Sequence, residues 1–93
     1  MIVVVAEVEM RLYHARTLKD KRQCAKSVLA RLPARFGVAA AEVGRLDDPR
    51  TLQIGMAAVG NEKRHVEEVL HRAIQFTALG VDGEIYAVRI EER

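Results

Sequence analysis

Residues 2 to 12, IVVVAEVEMRL, alternate without a break, and no other feature constrains the fold of this chain as tightly. Ile2, Val4, Ala6, Val8, Met10 and Leu12 share one face; Val3, Val5, Glu7, Glu9 and Arg11 share the other. Successive side chains of a strand point to opposite sides of its sheet, so the segment predicts a long strand with one face in a core. After a turn at Tyr13 to Arg16 the period becomes helical. Thr17 stands at an N-cap position with Asp20 three residues on, an acidic variant of the capping box. Leu18, Ala25, Val28, Leu29, Leu32 and Phe36 then fall on one stripe. Pro33 predicts a kink or an ending near Leu32, and Gly37 a stop in either case.

A short strand is predicted over Val38 to Val43, followed by the turn-rich segment GRLDDPR and a strand from Thr51 to Val59. Gly60 and Asn61 close that strand, with Asn61 as cap of a second helix and Glu62 in its first turn. Val66, Val69, Leu70, Ala73 and Thr77 make the inner stripe of this helix, Ile74 and Phe76 lie at its margins, and Gly80 ends it. The last strand, Glu84 to Ile90, is predicted to turn Tyr86, Val88 and Ile90 inward. The order β-α-β-β-α-β, with right-handed crossovers about a central hairpin, predicts an α+β ferredoxin-like fold. It would be a single domain over residues 1–93, its four-stranded antiparallel sheet ordered 4-1-3-2 with both helices on one face.

Ninety-three residues, 49% apolar and 30% charged, suit one folded domain with a single small core. Cys24 is the only cysteine, which excludes a disulfide framework and a cysteine metal site. The apolar start MIVVVAEV meets acids too soon for a signal peptide or a membrane span, so a cytoplasmic protein is expected. Charge is the more telling quantity because it is segregated. From His14 to Arg35 the chain carries seven basic residues and one acid (+6), while the remainder carries eight basic and twelve acidic residues (−4).

The basic block falls at a helix start, where the dipole favours anions. With the first and third strands read as a parallel central pair, both helices begin at one end of the molecule. Arg16, Thr17, Lys19, Lys21 and Arg22 would then lie beside Lys63, Arg64 and His65, and Lys26 would carry the basic surface along the first helix. Backbone donors and cations in that arrangement predict an anion site. A stripe of such length fits an extended polyanion such as structured RNA better than a single small phosphate, although a small phosphorylated ligand at the paired helix ends is the alternative. Solvated basic faces with stems packed over the core edge are the plain structural account of the same residues.

The sheet face without helices would carry Val3, Val5, Ala57, Val59 and Ala87, bordered by Glu7, Glu9, Arg11 and Arg89. It lacks the central aromatics on which RNA-recognition sheets stack bases, so self-association as a homodimer is its functional reading. Salt bridges of Glu7 and Glu9 to Arg11 and Arg89 explain the paired carboxylates without catalysis. His14, His65 and His71 form no metal-ligand set, and no nucleophile, base, cofactor loop or phosphate loop stands out. The chain reads as a binding protein rather than an enzyme, with no cofactor, no metal and no membrane partner.

The segments MIVVVAEVEMRL, ARTLKDKRQ, ARFGVAAAEVG and NEKRHVEEVL, in this order and spacing, resemble the YlxP-like family of small bacterial proteins. The run Thr17 to Lys19 with Lys21 and Arg22 is the most specific element of the likeness. The resemblance implies a ferredoxin-like fold, a cytoplasmic location and, from the translation-related gene neighbourhoods of members, a ribosome-linked role. It supplies no catalytic residues. Pro33 and the absence of a tryptophan from GRLDDPRTL are departures from the family pattern.

Overall fold

In a computed structural model that describes residues 1–93, β1 spans Ile2–Leu12, the full length of the alternating segment. It is followed by α1 (Leu18–Phe36), β2 (Ala39–Gly44), β3 (Thr51–Gly60), α2 (Lys63–Gly80) and β4 (Gly83–Glu92). The sheet order is β2-β3-β1-β4, and every pairing is antiparallel. This is the ferredoxin-like arrangement, with the even-numbered side chains of β1 facing the helices.

Val4, Ala6, Val8, Met10 and Leu12 of β1 and Leu52, Ile54, Met56 and Ala58 of β3 form the sheet side of the core. Ala25, Val28 and Leu32 of α1 and Val66, Leu70 and Ala73 of α2 close over them. Each fully buried Leu, Ile or Val stabilises the fold by about 1.5–3 kcal/mol relative to exposure. Thr77, also in the core stripe of α2, donates its hydroxyl to Ala73 O at 2.8 Å, which satisfies the buried oxygen locally.

α1 does not end near Leu32. It continues through Pro33 to Phe36, and Gly37, in the left-handed conformation at φ 69°, donates its N–H to Pro33 O at 2.9 Å. The proline sacrifices one helical bond, but buried Leu32 and an edge-on contact of Phe36 with Phe76, 5.5 Å between ring centres, anchor the turns around it. At the start of α2 the cap position is held by Glu62 rather than Asn61, and no side chain caps the helix.

Strand direction brings the largest correction. β1 and β3 are antiparallel, with Ile2 opposite Gly60 and Arg11 opposite Thr51. A helical crossover makes β1 and β2 run the same way, and the β2–β3 hairpin then reverses β3. α1 therefore starts beyond the Leu12 end of the sheet and α2 beyond the Gly60 end. A ten-residue pairing separates those ends by roughly 30 Å. The two helix starts are not neighbours.

A bulge corrects β4. Glu9 pairs with Ala87 but Met10 pairs with Ile85, which leaves Tyr86 as the extra residue. Tyr86 lies on the open face, where the Arg11 guanidinium sits 5.9 Å from its ring centre. Val88 faces the helix side but remains exposed at the sheet edge, while Ile90 packs against the core.

Candidate anion-binding surface

The start of α1 is capped as its sequence predicts. Thr17 Oγ1 accepts the Asp20 N–H at 3.1 Å, and Asp20 Oδ2 accepts the N–H groups of Thr17 at 3.1 Å and Arg16 at 3.0 Å. Those amide bonds, Arg16 first and Thr17 second, hold the Asp20 carboxyl below the usual aspartate range. The helix thus supplies its own anion, and the amides of Arg16, Thr17 and Asp20 are already engaged. An external anion at this end must be bound chiefly by side chains.

Lys21 is not one of them. Its side chain is 1% exposed, and Nζ lies 2.8 Å from Glu42 Oε2 of β2. The ammonium also donates to Arg45 O at 2.7 Å and Thr51 O at 3.2 Å. Glu42 Oε2 is buried and takes no aligned hydrogen bond, so the Lys21–Glu42 contact is an ion pair whose directional bonds go to the two carbonyls. The buried residues of α1 are Lys21, Ala25, Val28 and Leu32, a single row at i, i+4, i+7 and i+11. Lys21 thus occupies the first core position of the helix, and it ties α1 to the β2–β3 connection.

The remaining cations divide by partner. Lys63 pairs with Glu92 at 3.2 Å and Arg64 with Glu68 at 3.5 Å; Arg89 pairs with Glu7 at 2.7 Å and Arg93 with Glu91 at 3.4 Å. Lys63, Arg64 and the exposed His65 stand at the far end of the sheet from Thr17, so the structure does not bring them together with Arg16, Lys19 and Arg22. On α1 the situation is reversed. Lys19, Arg22, Lys26, Arg31 and Arg35 are all exposed, and neither they nor Arg16 make an ion pair. Lys19, Arg22 and Lys26, at i, i+3 and i+7, form one ridge about 10 Å long. Arg35 leans over the Phe76 ring at 5.1 Å, leaving its charge uncompensated.

The open sheet face holds a second candidate. Val3 lies opposite Val59 and Val5 opposite Ala57, with Ala39 of β2 next to Ala57. Val43, extra in the register of β2, covers Gly55; a Cβ on that glycine would meet Val43 Cγ1 at 2.7 Å. Val59 is 63% exposed. Ala87 does not join this patch. It pairs with Glu9, beyond the Glu7–Arg89 ion pair, in a polar zone where Glu9 accepts the Tyr86 hydroxyl and pushes the phenol up from its usual pKa. Ala39, Ala41 and Val43 take its place, which only the β2–β3 register reveals.

Comparison with known proteins places the chain. Residues 3–90 match the family model described as "Protein of unknown function (DUF503)". The chain belongs to this family. Among DUF503-type relatives, the "Uncharacterized protein YlxP" of Bacillus subtilis (strain 168) is 35% identical over 71 residues, which are 76% of this chain and 77% of that protein. Among solved structures, the "De novo designed protein Ferredog-Diesel" superposes with a TM-score of 0.51 at 14% identity, over 96% of this chain and 83% of the designed one. That likeness concerns the fold alone. In this DUF503 chain no three His, Cys, Asp or Glu side chains gather as a metal-ligating group, and no helix is long and apolar enough to cross a membrane. Cys24 is half-buried on α1, and His14 is engaged by Asp82 at 2.6 Å.

Proposed function

We propose that this DUF503 protein is a non-enzymatic binding protein that docks α1 on the phosphate backbone of structured RNA, as a free molecule or within a ribosomal particle in the cytoplasm. One observation carries the reading: the exposed cations of α1 and Arg16 have no carboxylate partners, whereas Lys63 and Arg64 at the start of α2, Arg89 in β4 and Arg93 just after it have them. Unpaired like charges on one helix repel each other, and a polyanion relieves that repulsion. Arg16, Lys19, Arg22 and Lys26 are the contacts, with Arg31 and Arg35 extending the surface. Lys21 supports the helix from inside, and Lys63, Arg64 and His65 take no part. The central strands carry no aromatic on the open face, which favours a backbone-reading mode over base stacking.

Co-sedimentation with ribosomal particles from a lysate at low salt tests the reading. The wild type travels with the particles, and Arg22→Gln/Lys26→Gln, folded by circular dichroism, stays in the supernatant. Equal sedimentation of both proteins would sink it.

The aliphatic patch of Val3, Val5, Val43, Ala57 and Val59 favours a second, compatible role as a homodimer contact through the open face. Light scattering should give a dimer mass for the wild type and a monomer mass for Val5→Lys. A monomeric wild type removes this role.

A further inference from the structure

At the corner where β1 leaves the sheet for α1, a hollow of about 500 Å³ is rimmed by Arg11, His14, Arg16 and Arg50, over buried Leu12 and Ala15. Two separate segments of the chain line it, residues 11–16 and Arg50, and a third braces them from behind. Leu12 N–H donates to Arg50 O at 2.8 Å and Tyr13 N–H to Asp82 O at 3.1 Å, which fixes the end of β1, the start of β3 and the α2–β4 turn together. β4 approaches so closely that a Cβ on Gly83 would lie 2.4 Å from Arg11 O. The rim therefore stands on a rigid base.

None of the three rim arginines makes an ion pair. Asp20 is held by the amides of Arg16 and Thr17, Asp48 accepts Arg50 N–H at 2.9 Å, and Asp82 faces His14 Nδ1 at 2.6 Å. Glu84 sits opposite Arg11 in the strand register but makes no ion pair with it. Asp20, Asp48 and Asp82 are thus engaged by backbone or histidine, Glu84 stands apart and Glu9 is taken up with Tyr86, so none of them forms an ion pair with Arg11, Arg16 or Arg50. Tyr86 under Arg11 orients that guanidinium without neutralising it.

We propose that this hollow binds an oxyanion of the phosphate class, clamped by Arg11, Arg16 and Arg50. Planar guanidinium forks match the oxygen pairs of a phosphate, and a dianion offsets the charge of three of them better than any single carboxylate would. The helix N-terminus is not the donor set here, because Asp20 occupies it. The proposal does not rest on the α1 surface: Arg11 and Arg50 lie off that helix, and only Arg16 is common to both. The phosphate comes from a small phosphate monoester or from the 5′ end of an RNA strand.

The test is a titration of the full-length protein with inorganic phosphate, followed by amide chemical shifts at ionic strength held constant with chloride. Saturating shifts confined to residues 11–17, 50 and 51 are expected. Arg11→Gln and Arg50→Gln should each raise Kd about tenfold, and Arg22→Gln should leave it unchanged. No saturation, shifts spread evenly over the basic residues of α1, or wild-type affinity in Arg50→Gln would overturn the proposal. A second arm competes bound phosphate with a nucleoside 5′-monophosphate, a 5′-phosphorylated oligoribonucleotide and its 5′-hydroxyl form. Stronger displacement by the 5′-phosphorylated oligomer than by either other probe assigns the hollow to RNA ends. Comparable displacement by the nucleotide and the 5′-phosphorylated oligomer, with none by the 5′-hydroxyl form, assigns it to small monoesters. Failure of every phosphorylated probe to displace phosphate contradicts the site.

Discussion

Replacing Lys21 with Met keeps an unbranched side chain only one atom shorter and deletes its charge. Three groups lose a partner: Glu42 Oε2 at 2.8 Å, Arg45 O at 2.7 Å and Thr51 O at 3.2 Å. Arg45 O is partly provided for, since it also accepts the Asp48 N–H at 3.0 Å. Glu42 is the costly one, because its carboxylate is left without a counterion. Breaking one side of a buried pair costs about 3–5 kcal/mol. The Glu42 side chain keeps 18% of its exposure, so the lower end, about 3 kcal/mol, applies. At roughly 4–8 °C per kcal/mol for a domain of this size, the melting temperature should fall by about 12–24 °C. Urea denaturation of wild type, Lys21→Met, Glu42→Leu and the double variant forms a cycle, and the double variant should recover more than about 1 kcal/mol of the summed losses. At a temperature where Lys21→Met is folded, its affinity for RNA should equal that of the wild type. A loss below about 0.5 kcal/mol with no coupling would refute the buried ion pair.

Three further outcomes follow from the local geometry. Thr17→Ala removes the hydroxyl that caps α1 and should cost about 1 kcal/mol in denaturant titrations; no loss would mean that the cap is not formed in solution. Asp20 and Asp48, whose folded pKa values are depressed by amide hydrogen bonds, confer stability that is complete above the unfolded value of about 3.9 and is lost as pH falls through the folded values. The stability gap between wild type and Asp20→Ala should therefore narrow from neutral pH to strong acid, and a constant gap would contradict the assignment. Gly83→Ala drives a methyl group towards Arg11 O, a backbone atom that cannot rotate away, and should cost about 1–3 kcal/mol by thermal melts; a neutral effect would show that β4 can move off β1.

Features written in a few consecutive residues are legible in the sequence. The alternation of Ile2 to Leu12, the Thr17–Asp20 box and the stop at Gly37 all appear as their local chemistry dictates, and with the crossover rules they lead to the correct strand order. Features that depend on which strands meet are harder to read. Tyr86 faces outward because one residue is gained against β1, a register event between segments more than seventy residues apart. The separation of the helix starts follows from the parity of two crossovers around a hairpin, which no local pattern displays. Lys21 did carry a signal. It stands three residues after Leu18 and four before Ala25, on the apolar stripe itself, yet a lysine amid six other basic residues reads as solvated. Its partner Glu42 is distant in sequence, and only the fold shows that the stripe begins with an ion pair. Arg11 and Arg50 escape the charge-density argument for the same reason, since they lie outside the basic block and reach the β1–α1 corner through strand pairing.

The salt dependence of RNA binding is the most direct test of the claim that the unpaired cations of α1 meet phosphates. With Arg16, Lys19, Arg22 and Lys26 as four contacts, the logarithm of the association constant should fall against log salt with a slope of about −3 to −4 on a duplex. Arg22→Gln/Lys26→Gln removes two contacts and should reduce the slope to about −2, while Lys63→Gln/Arg64→Gln, at the opposite end, should leave it unchanged. A slope that is the same in all three proteins, or one that responds to Lys63 and Arg64 instead, would contradict the account.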